Sequence, residues 1–313
     1  MNLKNKIFNF FIIYLFFCFN NAAYGSKSSY ILLKIDNKII TNTDIENEKK
    51  YLLAINENLI TLNDSQIFEL SKDSLIREKI KRNELEKYYD TSEYNKYLDD
   101  IVKDFYLKLN FSNISELEQH LLTKKVKIET LKDKLNIEVL WNQLVFNRYG
   151  KKVTINPNKL REKIKNSGSL EKKESLLISE IIFSVNSKSE INEKHKKIID
   201  SIANVGFNNT ANIYSVSETA KFGGKIGWIT TNQLSKKIFN ELKKIKVGEY
   251  TDLINVPAGF LILKVVDKKI EKIEINIEEE LEQLIIYEKD RQLNEFSSVF
   301  FQKIKKNSLI DEK

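Results

Sequence analysis

Phe222-Gly223-Gly224-Lys225-Ile226-Gly227-Trp228 is the densest run of glycine in a chain of 313 residues that holds only nine glycines and two prolines. Adjacent glycines tolerate positive φ angles that other residues resist, so Gly223-Gly224 predicts a tight turn. Gly227 before Trp228 predicts a backbone that passes close beneath the aromatic ring. Nucleotide-binding loops need GxGxxG or GxxxxGK[ST] spacing between a strand and a helix. Neither spacing is present, which excludes a phosphate-cradling role for this turn.

The surrounding residues read as one block. Leu176–Val185 is an apolar, β-branched run and predicts a strand. Ile191–Val205 predicts a helix with Ile191, His195, Ile198 and Ile202 on one side. Asn208–Ser217 is polar and reads as a loop or short helix. Gln233–Lys244 carries Leu234, Ile238 and Leu242 four apart, the spacing of a short amphipathic helix. Val247-Gly248-Glu249 and Pro257-Ala258-Gly259 are turns, and Phe260–Val266 predicts a second apolar strand.

The element order, the GGxxGW turn (Gly223, Gly224, Gly227, Trp228), the step Ile245–Glu249 and Gly259-Phe260 before the last strand resemble the parvulin (PpiC-type) peptidyl-prolyl isomerase domain. With its flanks, the layout is similar to the SurA-type periplasmic chaperones of outer-membrane proteins. The fold class this resemblance implies is α+β. A mostly helical N-terminal domain is completed by a C-terminal helix, with an inserted parvulin-like domain of a small antiparallel sheet flanked by helices.

The expected boundaries follow from the residues. Lys4 and Lys6, the apolar run Ile7–Phe19 and Ala23-Tyr24-Gly25 have the layout of a signal peptide over 1–25. An uncleaved anchor is the competing reading, but the apolar run is shorter than the ~20 residues a membrane span needs. Cys18 is the only cysteine and lies within this segment, so the mature chain offers no thiol or disulfide chemistry. The helical domain is expected over 26–166, opening with a hairpin at 30–40 and a capping box from Thr43 to Glu46. Helices follow at 65–89, 94–109, 114–124 and 128–149, the last with Ile128, Leu131, Leu135, Val139 and Phe146 turned inward. A short helix begins at Asn156-Pro157. A polar linker over 167–175 precedes the parvulin-like domain at 176–268.

Residues 269–313 hold a connection and a helix over 277–306, whose stripe includes Leu281, Leu284, Ile285, Phe296, Phe300 and Ile304. Such a stripe must be covered. The resemblance implies that it returns to the N-terminal domain; a second subunit is the other candidate, so a monomer is expected and a dimer is the alternative.

The net charge of +7 alternates with Glu along most helices, the pattern of solvated faces, so no nucleic-acid partner is expected. His120 and His195 are the only histidines, and neither is set at ligand spacing, so no metal and no cofactor is expected. His120 reads as a helix-surface residue, His195 as surface or half-buried. Active parvulins place two histidines and an acidic residue or cysteine around the isomerised bond. The matching positions here are Glu180, Ser217 and Leu261, all substituted. Leu234 and Ile238 match the residues that grip proline, with Phe239 and Trp228 close in sequence; all four also suit an ordinary core. Glu180 falls on the strand face of Ile178 and Ile182, where it must meet a cation or solvent, or have a raised pKa.

Three functions fit these features. The first is a folding factor that binds unfolded outer-membrane proteins without nucleotide, with a degenerate parvulin domain and the outer-membrane assembly machinery as a further partner. The second is an active isomerase using Glu180 and Ser217. The third is a structural assembly factor that only contacts a folded partner.

Overall fold

The computed structural model describes residues 29–166, 172–185, 187–272 and 276–312. The expected signal peptide and the first part of the expected linker lie outside them. The chain opens with the hairpin β1 (Ile31–Ile35) and β2 (Lys38–Thr41), turning at Asp36, which takes a positive φ of 51°. Helix α1 (Asn42–Ile55) is capped by Thr41, whose hydroxyl accepts from Asp44 N while the Asp44 carboxylate accepts from Thr41 N. The capping box therefore sits two residues before the expected Thr43–Glu46 pair, because strand β2 ends directly at the cap.

Helices α2 (Asp64–Leu85), α3 (Leu98–Lys108), α4 (Ile114–Thr123) and α5 (Ile128–Tyr149) follow, then α6 (Pro157–Asn166). The interior side of α5 changes along its length. Ile128, Leu131 and Leu135 join one apolar cluster with α1, α3 and α4, whereas Ile137, Leu140, Trp141, Leu144 and Val145 join a second. The expected inward stripe is thus right in its first half and wrong in its second. Phe146 is exposed and Val139 only half-buried, because one stripe cannot serve two cores on different sides.

The second core is closed by the end of the chain. Helix α9 (Ile277–Asn307) lays Phe300 and Phe301 against Trp141, whose Nε1 donates to Ser297 Oγ at 2.8 Å. Strand β7 (Ile310–Glu312), which periodicity does not reveal in so short a polar run, pairs with β1 to give the sheet order β2-β1-β7.

The second sheet has the order β4-β3-β6-β5, all antiparallel: β3 is Lys172–Phe183, β4 Lys225–Thr230, β5 Ile254–Val256 and β6 Gly259–Lys272. Three expectations change here. The linker stretch becomes strand from Lys172, because Lys172–Ser175 pair with Lys269–Lys272 beyond the apolar part of each strand. Lys225–Thr230, read as part of a turn, is an edge strand. Helix α7 (Glu190–Tyr214), interrupted at Gly206, runs through Asn208–Tyr214, so of the loop and the short helix open from sequence the helix is the one found. Helix α8 (Lys236–Leu242) is shorter than expected and is capped by Ser235.

Candidate functional site

Leu234, Ile238, Phe239 and Leu261 lie in one apolar cluster on one face of the second sheet, together with Ile178 and Leu263. Strand alternation sets this face: Leu176, Ile178 and Ile182 point to it, while Ile181 and Phe183 pack on the opposite side with Ile198 and Phe207 of α7. Leu261, which the resemblance matches to a parvulin histidine, is paired in register with Ile182 and is 7% exposed. Trp228 is not part of the cluster. It lies on the edge strand opposite Leu177, 43% exposed, with Lys269 Nζ 4.9 Å from its ring centroid.

Glu180 and Ser217 do meet. Glu180 Oε1 accepts from Ser217 Oγ at 2.7 Å and from Thr219 Oγ1 at 2.9 Å. Burial pushes the carboxyl pKa up, and the two hydroxyls oppose that shift without cancelling it. Of the outcomes open from sequence, a raised pKa with neutral hydrogen-bond donors is the one found. Ser217 also caps the 3-10 turn Glu218–Phe222, accepting from Thr219 N at 3.0 Å.

The loop is stitched to β3 by its backbone. Val216 N donates to Ile182 O at 2.7 Å, and Glu180 N donates to Gly224 O at 2.8 Å. A Cβ on Gly224 would lie 2.1 Å from Glu180 O, so the close approach belongs to Gly224. Gly227, expected to pass beneath the aromatic ring, has nothing within 4 Å of a built Cβ; its φ of 106° at the β3–β4 register shift explains it instead.

Helix α2 grips the same loop from outside. Arg77 donates to the carbonyls of Ser215, Val216 and Ser217. Lys81, its side chain 1% exposed, binds Glu138 and Glu218 at 2.7 Å each. Burial alone would lower the Lys81 pKa, and the two carboxylates overcome it and raise it. Glu218 is held well below the usual carboxylate range: burial opposes ionisation, and Lys81, Lys221 and Arg77 outweigh it. Thr219, Arg77 and Lys81 escape sequence reasoning. Thr219, two residues after Ser217, could have been found as a second hydroxyl on the same turn; the other two are joined to the loop across more than 130 residues.

A cleft of about 1010 Å³ opens between α1, α2 and α5 on one side and α7 with the loop 215–221 on the other. Leu52, Ile55, Leu70 and Phe105 supply apolar lining, and Lys134, Asp73, Lys194 and Lys305 supply charge. Lys134 bridges Glu48 at 2.7 Å and Glu78 at 2.5 Å. His120 is half-buried rather than on the surface, and its Nε2 donates to Ala54 O at 2.8 Å. His195 is half-buried. Among the described residues, no group of three or more His, Cys, Asp or Glu side chains could hold a metal ion.

Residues 176–267 match the rotamase family of PPIC-type PPIase domains. Curated relatives named Chaperone SurA include the following pair. That of Chromobacterium violaceum is 25% identical over 169 residues, 52% of this chain and 39% of its own length. That of Pseudomonas putida is 42% identical over 55 residues, 18% of this chain and 13% of its own. Over these stretches the chain is similar to Chaperone SurA, and within it residues 176–267 match a PpiC-type rotamase domain. It spans less than half the length of these relatives. Among solved structures, a SurA-like chaperone of Campylobacter jejuni is 15% identical, with 90% of this chain and 98% of that one covered at a TM-score of 0.37. Within the SurA-like layout, the rotamase domain carries the Glu180–Ser217–Thr219 triad and the Leu234 cluster, and the helical part supplies Arg77 and Lys81. Among the described residues, no helix is long and apolar enough to cross a membrane.

Proposed function

We propose that this protein is a periplasmic folding factor, delivered by a cleaved signal peptide over 1–25, that holds unfolded outer-membrane protein segments soluble. Its rotamase domain keeps the fold and lacks the standard isomerase polar set. The observation that carries the reading is the cleft, roomy enough for several side chains, where Leu70, Ile213 and Val216 sit among charged residues of both signs such as Asp73, Glu193 and Lys194. Such a surface takes extended polypeptide by burying side chains without demanding one sequence. The substituted positions support the second half: an X-Pro bond faces a rotation barrier of ~20 kcal/mol, and the buried Leu261 offers no polar group to the twisted amide.

The test is aggregation of an unfolded outer-membrane β-barrel protein, followed by light scattering, beside turnover of a proline-containing peptide. Suppression without turnover, weakened by Leu70→Glu in the cleft, is the expected result. Absence of suppression overturns the reading.

One observation favours a second reading. Glu180 with its two hydroxyl donors is a preorganised polar group at the position of a parvulin histidine, and an isomerase could use it to steer the amide. Turnover that disappears in both Glu180→Ala and Leu234→Ala would establish this isomerase instead.

A further inference from the structure

The apolar cluster beneath α8 does not end with the rotamase domain. Tyr287 of α9 packs against it, and the same ring packs against Ile164, Leu281 and Leu284 between α6 and α9. Two polar ties fix the helices at this place. Lys163 Nζ of α6 donates to the Leu234 carbonyl at 2.7 Å, and Asn232 Nδ2 donates to Glu280 Oε1 of α9 at 2.8 Å. Both ties bracket Leu234, which is 5% exposed. A slot for a proline ring has to present its side chains to the ligand, and here the ring-bearing neighbour is the protein's own tyrosine. Burial pushes the Tyr287 hydroxyl pKa up; Arg291 opposes this and Glu180 adds to it, which puts the ring within the field of the candidate carboxylate.

We propose that α9 is a tethered competitor of the slot: Tyr287 packs where a proline-containing polypeptide segment would bind, and the segment enters only when the α6–α9 pair withdraws. The inference rests on reading Leu234 and Ile238 as the residues that grip proline. A site open for only part of the time binds with an affinity reduced by that fraction, so removing the competitor restores the difference.

The test uses the full chain and a fluorescein-labelled Ala-Leu-Pro-Phe peptide followed by anisotropy. Tyr287→Ala should bind it about tenfold more tightly than the parent, the loss of a competitor that keeps the slot nine-tenths closed. Tyr287→Phe keeps the ring and should bind like the parent. Lys163→Met, which cuts one tie and leaves Tyr287 in place, should shift affinity the same way by less, and it carries the test if Tyr287→Ala does not fold. Equal affinity in the parent and the folded variants overturns the proposal. So does a Tyr287→Ala protein whose α8 amides exchange faster, marking an uncovered slot, yet which binds no peptide. Aggregation suppression on the same preparations separates the two readings: its loss alongside tighter peptide binding leaves the competitor standing, and its retention alongside equal affinities removes the competitor alone.

Discussion

Gly224→Ala and Gly227→Ala make the same chemical change three residues apart, and the structure separates their consequences. Gly224 sits at φ 75°, and an added Cβ would lie 2.1 Å from Glu180 O and 3.0 Å from the Ala211 Cβ. Gly227 sits at φ 106° with nothing within 4 Å of the added atom. Both substitutions incur the strain of an L-residue at positive φ, about 1–3 kcal/mol. Only Gly224→Ala adds a contact with backbone that cannot rotate away, at a further cost of about 1–3 kcal/mol, as in overpacked interiors.

The difference has a local reporter. Glu180 N donates to Gly224 O at 2.8 Å, so the hydrogen-exchange rate of the Glu180 amide reads the seam between β3 and the glycine turn directly. Gly224→Ala should expose that amide by about 2 kcal/mol more than Gly227→Ala, roughly a thirtyfold faster exchange. It should also loosen the hold of Ser217 and Thr219 on Glu180. Equal exchange rates in the two variants would refute the reasoning, because the close approach would then have no energetic weight.

Lys81→Met should destabilise the protein by about 2–3 kcal/mol in denaturant titration, less than the ~3–5 kcal/mol of a wholly buried pair, because Glu138 and Glu218 can regain water. Adding Glu138→Gln should recover part of the loss. Glu180→Gln should gain stability relative to the parent as pH rises from 4.5, the ordinary value of the group. The sign follows from linkage: a carboxyl with a raised folded pKa contributes stability that is full below the unfolded pKa and lost as pH rises through the folded one. A denaturant midpoint difference that does not change between pH 4 and pH 8 would be the wrong outcome. Ser297→Ala strands the buried Trp141 N–H, which should cost about 1–3 kcal/mol in the same titration.

Apolar spacing made α2 to α5, α9 and the apolar parts of β3 and β6 legible, but not the change of α5 from one core to a second along its length. Two of the failures are strands that local pattern does not mark. Lys225–Thr230 is an edge strand whose hydrophobicity is diluted by glycine and lysine, and Lys172–Ser175 is strand only because a partner strand lies alongside it. The Glu180–Ser217 pair could be anticipated because a strand carboxylate on an apolar face demands a donor. Arg77 on the Ser215–Ser217 carbonyls could not, since an arginine on an exposed-looking helix face has no sequence mark that names its partner.

The contacts that hold the rotamase domain to the helical part and those that hold α9 to it differ in kind. Across α2, the contacts are charges and amides: Arg77 on three carbonyls, Lys81 on Glu218, Asn56 on Lys221 O and Asn209 on Thr61 Oγ1. Groups of this type regain water when separated, so their net worth is small compared with their number. By contrast, Trp141, Phe300 and Phe301 and the β1–β7 pairing join α9 to the helical part through buried aromatic surface and backbone ladder, which water does not replace. Phe222, Val205 and Ile213 add half-buried apolar contacts with the helical core, the buried Phe105 among it, to the polar seam. The end of the chain is therefore built to stay with the helices. Across α2 the rotamase domain is held largely by bonds that water can replace, while Tyr287, Lys163 and the Asn232–Glu280 bond tie it to the α6–α9 pair as well.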